Sequence, residues 1–412
     1  MTDTTAGVGG VRAPRPAAFA FSRGDAGRTG IALLLVLGLI AGAYWLHSAA
    51  GFGAKASLSL ILGAALGITF VRGRFCFFCI LRDWLEKGDS TGMYAILSAL
   101  AVGGIGYALV FGAFLGNPAG GRLPPDAHIG PVSIVVVAAG VAFGLGMALS
   151  GACISGHLYR LGEGYSRAPI ALVGAAVGFG LGFFTWRTVY LSTLSNAPVA
   201  WLPATLGYGG SLAVHLAVLA AFAFVLLRGL PKRAASPETG ALTARDVFRL
   251  IFRQRWNPLV TGAIVGAIGT VAYFRIEPLG VTSQIATWTR TALDSAGLLT
   301  DRLNGLDTFA GCAAVVAQAV TENGWLIGGL VIGSLAVSLV AGNFRVSPLT
   351  VRSSITALGG GVLMGWGSML ALGCTVGTLL SGISAFAISG WVFGAAVIAG
   401  VWLGLRLKLH TL

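Results

Sequence analysis

The chain holds five cysteines, and two of them stand at the same place in a phrase that occurs twice. GLGMALSGACISGHL ends at Leu158 and GWGSMLALGCTVGTL ends at Leu379. Aligned on Cys153 and Cys374, the copies share Gly144 with Gly365, Gly146 with Gly367, Leu149 with Leu370, Gly156 with Gly377 and Leu158 with Leu379. A lone buried cysteine is most often a small packing residue, but matched thiols at matched helix ends belong to a duplicated device. The glycines beside them, Gly151 and Gly156 in one copy and Gly373 and Gly377 in the other, suit a tight turn or a close approach of backbone to a ligand. His157 can donate to an anion or accept a proton, although Thr378 takes its place in the second copy.

A third thiol cluster reads VRGRFCFFCILRDWL, from Val71 to Leu85. Cys76 and Cys79 are spaced i, i+3 and share one helical face, with Arg72 and Arg74 just before the helix start. A helix N-terminus flanked by arginines attracts anions. The same CxxC pair also fits dithiol redox chemistry, since a cysteine at such a position loses its proton more easily. Zinc is a weak reading, because no second cysteine or histidine pair stands at ligand spacing. Cys312 has no matching phrase and reads as structural. Arg275, Glu277, Arg290 and Asp294 flank or interrupt apolar pieces of the second half; lining a vestibule is one reading of them, and an edge position that snorkels toward water is the favoured one.

The elements that must position these thiols lie in a bilayer. Of 412 residues, 56% are hydrophobic and only 10% charged, too little polar surface for a soluble domain of this size. Most of the 63 glycines read as close-packing devices between membrane helices, as in the GxxxG spacings Gly262 with Gly266 and Gly140 with Gly144. The net charge of +13 is spread over span ends and one long loop, so it sets topology and binds headgroups; no nucleic-acid motif is legible. No Walker A loop, HExxH or GxSxG is present, which places transport ahead of hydrolysis, and neither a cofactor nor a metal is expected.

Apolar runs predict spans at 31–50, 56–71, 92–115, 132–151, 168–190, 211–229, 258–275, 325–341, 355–373 and 385–405. Pieces at 75–85, 153–161, 281–293, 308–320 and 374–383 fall short of the ~20 residues a crossing requires. Residues 1–29 form a polar N-terminal extension, expected in the cytoplasm ahead of a first transmembrane helix. Two membrane halves at 30–230 and 258–412 are joined by a basic cytoplasmic linker at 231–257. With the basic loops inside, the helix before Cys153 runs inward and the helix before Cys374 outward, an inverted repeat whose broken helices face one another near the bilayer midplane.

At Cys76, Cys153 and Cys374 the chain resembles the YeeE/YedE sulphur-transport family of bacterial inner-membrane proteins, whose characterised members are thiosulfate permeases. RGRFC, GMALSGACISG and GGGVLMGWGSMLALGCTVGTLLSGIS carry the likeness, which extends from about Leu58 to Val401. The resemblance implies an all-α, hourglass-shaped inverted repeat with re-entrant half-helices. It also implies a non-enzymatic path for thiosulfate or a related sulfur-containing anion lined by the thiols of Cys76, Cys153 and Cys374. Arg72, Arg74, Cys79, Gly151, Gly156, His157, Gly373 and Gly377 are candidate binding residues. A cytoplasmic sulfurtransferase or sulfur-carrier protein is the expected partner. The second thiol at Cys79, Cys312 and the arginine-rich opening depart from the pattern. They keep open a permease for another sulfur or selenium compound, and a membrane thiol–disulfide oxidoreductase using Cys76 and Cys79.

Overall fold

Four of the five short apolar pieces fold as short helices inserted between long ones. The computed structural model describes residues 23–229, 254–299, 303, 305, 306, 316, 317 and 319–411. The piece at 308–320, with Cys312, lies almost wholly outside the described residues, as do most of the N-terminal extension and of the linker. The long helices among the described residues are α1 (Arg23–Ser48), α2 (Ala54–Gly73), α4 (Met93–Phe114), α5 (Ile134–Ser150), α7 (Arg167–Ser192), α8 (Pro203–Leu226), α9 (Pro258–Arg275), α11 (Glu322–Ala341), α12 (Val351–Leu370) and α14 (Ile388–Arg406). The short ones are α3 (Phe77–Lys87), α6 (Ile154–Gly162), α10 (Ser283–Ser295) and α13 (Thr375–Ser384), the last beginning as a π-helix. Among the described residues no extended strand forms, only two isolated bridges.

Among the described residues nine helical stretches are long and apolar enough to cross a bilayer, or ten if Val351–Leu370 and Thr375–Ser384 count as one span bent by 43°. The breaks have local causes. Gly151 ends α5 at φ 83°, a left-handed conformation that glycine adopts without strain. The matched position after α12 is Leu372 at φ 55°, held there in a buried setting. Arg74 takes φ 53° between α2 and α3.

Glycine decides which helices pair. A Cβ on Gly63 would lie 2.0 Å from the carbonyl of Leu326, and one on Gly67 would lie 2.1 Å from that of Leu330, so α2 and α11 touch backbone to backbone and run parallel. The same logic joins α4 to α9 through Gly262 against Ala95 and Gly266 against Ala99. It joins α7 to α12 through Gly174 against Leu358 and Gly178 against Val362, and α5 to α14 through Gly140 against Ala396 and Gly144 against Val397. At the centre α5 and α12 run antiparallel, with Gly146 against Gly360 and Gly367 against Ala139.

The two ends of the bundle differ in charge. One end gathers the joints after α2, α3, α6 and α11 and the start of α9. There Gly73 meets Thr261, Gly88 meets Gly229 and Gly164 meets Arg345. Arg72, Arg74, Arg82, Lys87, Arg160, Arg255 and Arg345 crowd this basic end. At the opposite end Tyr273 donates to the Pro125 carbonyl (3.0 Å), and a groove of about 320 Å³ contains Asp126, Tyr273 and Glu277.

Candidate functional site

Each short helix begins at a residue able to hold an anion or a soft atom. Cys76 caps α3, Cys153 caps α6, Thr282 caps α10 and Cys374 caps α13. These caps meet in two pairs. The thiols of Cys76 and Cys153 lie within hydrogen-bonding reach of one another, and the thiol of Cys374 lies within reach of the Thr282 side chain. Each pair thus brings two helix N-termini together, where unpaired N–H groups and the positive ends of two helix dipoles point at one spot.

At the first pair, Cys153 Sγ accepts from the Gly156 N–H (3.3 Å) and lies 3.2 Å from Ser155 Oγ. A Cβ on Gly156 would stand 3.0 Å from Cys76 Sγ and 3.3 Å from Cys153 Sγ. The residue is therefore glycine because its backbone forms the wall of the constriction. Phe70 stacks on Phe75 at 5.4 Å, Phe77 meets Phe75 edge-on at 5.4 Å, and Tyr159 closes on Phe70 at 6.2 Å. This aromatic collar excludes water around Cys76, which is fully buried.

At the second pair, backbone N–H groups of Val376 and Gly377 face Cys374 Sγ. Next to it the buried hydroxyl of Thr375 has no hydrogen-bond partner among the described residues. A Cβ on Gly373 would stand 2.3 Å from Thr378 Oγ1, so Gly373 narrows this break as Gly156 narrows the other, whereas a Cβ on Gly151 would meet nothing within 4 Å.

The other candidates take varied positions. Arg72 is buried, and its guanidinium donates to the Gln254 carbonyl while its own carbonyl accepts from Trp256 N–H (3.0 Å), so it clasps the chain entering α9. Arg74 pairs with Glu163 at 3.0 Å, and that carboxylate is only 2% exposed. His157 shares a hydrogen bond of 3.1 Å with Ser150 and is turned to the α5–α6 joint. Cys79, one turn into α3, receives a hydrogen bond from Arg160 Nη2 (2.9 Å). Arg290, expected as a snorkelling edge residue, is instead 6% exposed, because α10 is a short helix packed inward on α7.

Thr282 and Arg160 escaped the cysteine-led reading. Thr282 has no thiol, and only its place ahead of an inserted half-helix marks it. Arg160 carried a usable signal: a charged residue inside an apolar membrane piece, seven residues after a repeated cysteine, is a functional candidate by position alone.

Among the described residues no three histidine, cysteine or acidic side chains cluster as metal ligands would. Apolar helices long enough to span a bilayer, alternating with short inserted ones, define a polytopic membrane protein. The chain belongs to the family described as Sulphur transport, which matches residues 72–403. It is similar to the thiosulfate transporter TsuA of Escherichia coli K12, with 28% identity over 348 residues, covering 83% of this chain and 92% of the relative. The thiosulfate transporter TsuA of Spirochaeta thermophila is 27% identical over 358 residues, covering 83% and 96%. The probable transporter YedE of Salmonella typhimurium is 33% identical over 88 residues, 21% of this chain and 22% of that protein.

Proposed function

We propose that the protein takes up thiosulfate, or a closely related sulfur-containing anion, across the inner (plasma) membrane, along a path lined by Cys76, Cys153 and Cys374. The observation that carries this reading is the meeting of two helix N-termini at each of two constrictions, with sulfur at both. Backbone N–H groups of the converging helices suit the oxygens of an oxyanion, and neutral thiols offer a soft, polarizable surface to its terminal sulfur. The thiols act in the neutral form, since a thiolate about 5 Å from a dianion would repel it by roughly 6 to 7 kcal/mol at an effective dielectric near 20.

The helix pairing supports an inverted repeat. Exchanging α2 with α9, α4 with α11, α5 with α12 and α7 with α14 turns the pair α2/α11 into α9/α4 and the pair α5/α14 into α12/α7, while α5/α12 maps onto itself. On this reading Thr282 is the counterpart of Cys76, and α8 the counterpart of α1. Both α1 and α8 are little-buried outer spans. The second unit then starts at α8, and the 231–257 stretch falls within it, between α8 and α9, and not between the halves.

Moving two negative charges inward against 100 mV costs about 4.6 kcal/mol. A co-transported proton, an exchanged anion or consumption of the solute by a cytoplasmic sulfurtransferase or sulfur-carrier protein would offset that cost. Uptake of labelled thiosulfate into vesicles tests the reading: Cys153→Ala and Cys374→Ala should each lower flux at least tenfold, and undiminished flux in both would remove the thiol-lined path. Under the rival reading, a thiol–disulfide oxidoreductase, Cys79→Ser abolishes function as fully as Cys76→Ser.

A further inference from the structure

Just beyond the Cys76/Cys153 constriction, at the basic end, lies a cavity of about 220 Å³ whose walls include Arg74, Cys79, Tyr159, Arg160 and Arg255. Its carboxylates are already engaged. Asp83 is bound by Arg82 (3.0 Å) and Lys87 (3.0 Å), and Asp89 accepts from the Thr91 N–H (2.9 Å). Outside the cavity wall, Glu163 takes up Arg74 (3.0 Å).

Arg160 differs from these. Its Nη1 donates to the Gly151 carbonyl (2.9 Å) and its Nη2 to Cys79 Sγ (2.9 Å), and the Tyr159 hydroxyl lies within hydrogen-bonding reach. Its ring contact is the face of Tyr165, 5.4 Å from the guanidinium carbon. Among the described residues no carboxylate stands within ion-pairing distance of it. A part-buried guanidinium held only by neutral partners is costly to keep, and an anion entering the cavity would supply the missing charge. Two of its five N–H donors are spent on a carbonyl and a thiol, and the thiol is a weak acceptor that an oxyanion readily displaces.

We propose that this cavity is a terminal binding site for a small sulfur-containing dianion, with Arg160 as its principal ligand, Arg255 at its rim and Cys79 as the soft contact for the terminal sulfur. The assignment rests on the permease reading and adds to it a place where the solute pauses after the narrow thiol pair. Cys79 Sγ now occupies the acceptor position on Arg160 that an oxygen of the anion takes over. That gives Cys79 a role in binding with no disulfide involved.

The test measures binding at this cavity without transport. In open membrane sheets carrying the full chain with Cys374→Ala, a charged maleimide is added with and without thiosulfate. Alkylation of the peptide containing Cys79 is followed by mass spectrometry, with a free thiol in the same mixture as the rate reference. Thiosulfate should slow the labelling of Cys79, and the half-protecting concentration should rise at least about tenfold in Arg160→Gln, the loss of one charge-assisted hydrogen bond. Because Arg160 also ties down the α5–α6 joint, Arg255→Gln at the exposed rim provides a second variant, with a rise of about threefold expected. Absence of protection, or equal protection in both variants and the parent, would overturn the site. Failure of the uptake test with protection intact would instead reject the permease path and leave the site standing.

Discussion

Glu277 sits two residues past the end of α9, in the groove at the end opposite the Arg160 cavity. Burial, and next the negative charge of Glu322, push its carboxyl up to about 7, against 4.5 for the free side chain. Between these values the folded chain holds a proton that the unfolded chain has released, so stability falls as pH rises from about 4.5 to about 7 and levels off above. Glu277→Gln removes the titration. Thermal unfolding in detergent should show the variant melting a few degrees above the parent at pH 8 and level with it at pH 4.5; equal melting at both would refute the assignment. The cysteines were legible in the sequence because they are few and repeated. Glu277 was legible only as a charge near an apolar edge, since its burial arises from contacts with the start of α11, distant in sequence.

At the scale of the element, the repeated glycines turn out to have distinct positions. Gly144 and Gly365 lie on matching outer contacts, Gly144 against α14 and Gly365 against α7, while Gly146 and Gly367 both lie on the central contact of α5 with α12. A Cβ on Gly365 would sit 2.0 Å from the Ala175 carbonyl, closer than any real contact, so α7 and α12 must separate. Gly365→Ala should therefore cost about 1–3 kcal/mol, as overpacking does. Gly112→Ala, with nothing within 4 Å of the added carbon, is the neutral control. Comparing the two melting temperatures checks the claim, and an equal effect would mean that helix spacing is not set at Gly365. Eight of the ten long helices and four of the short pieces were legible from hydropathy and length to within a few residues, because span length is fixed by bilayer thickness, while α1 and α8 each begin eight residues before the expected span. Their pairing was not legible. GxxxG spacing marks a close-packing face without naming the helix that fills it, and Gly262 with Gly266 gave no sign of α4.

For the whole molecule, the uneven placement of charge is the feature with the widest consequence. Arg82, Lys87, Arg255 and Arg345 stand at the same end as the Arg160 cavity, and each basic residue near an anionic membrane surface contributes about 1 kcal/mol of attraction. The positive-inside rule predicts that this end faces the cytoplasm. The pair Thr282/Cys374 would then be reached first from outside and the thiol pair Cys76/Cys153 second. Two exposed positions decide the matter: Ala119, in the loop after α4 at the opposite end, and Val346, in the loop between α11 and α12. In right-side-out vesicles an impermeant maleimide should label Ala119→Cys above the parent background and leave Val346→Cys unlabelled until the vesicles are opened. The reverse pattern would turn the molecule over. The cavity at Arg160 would then be an entrance, and its arginines would gather the anion from outside.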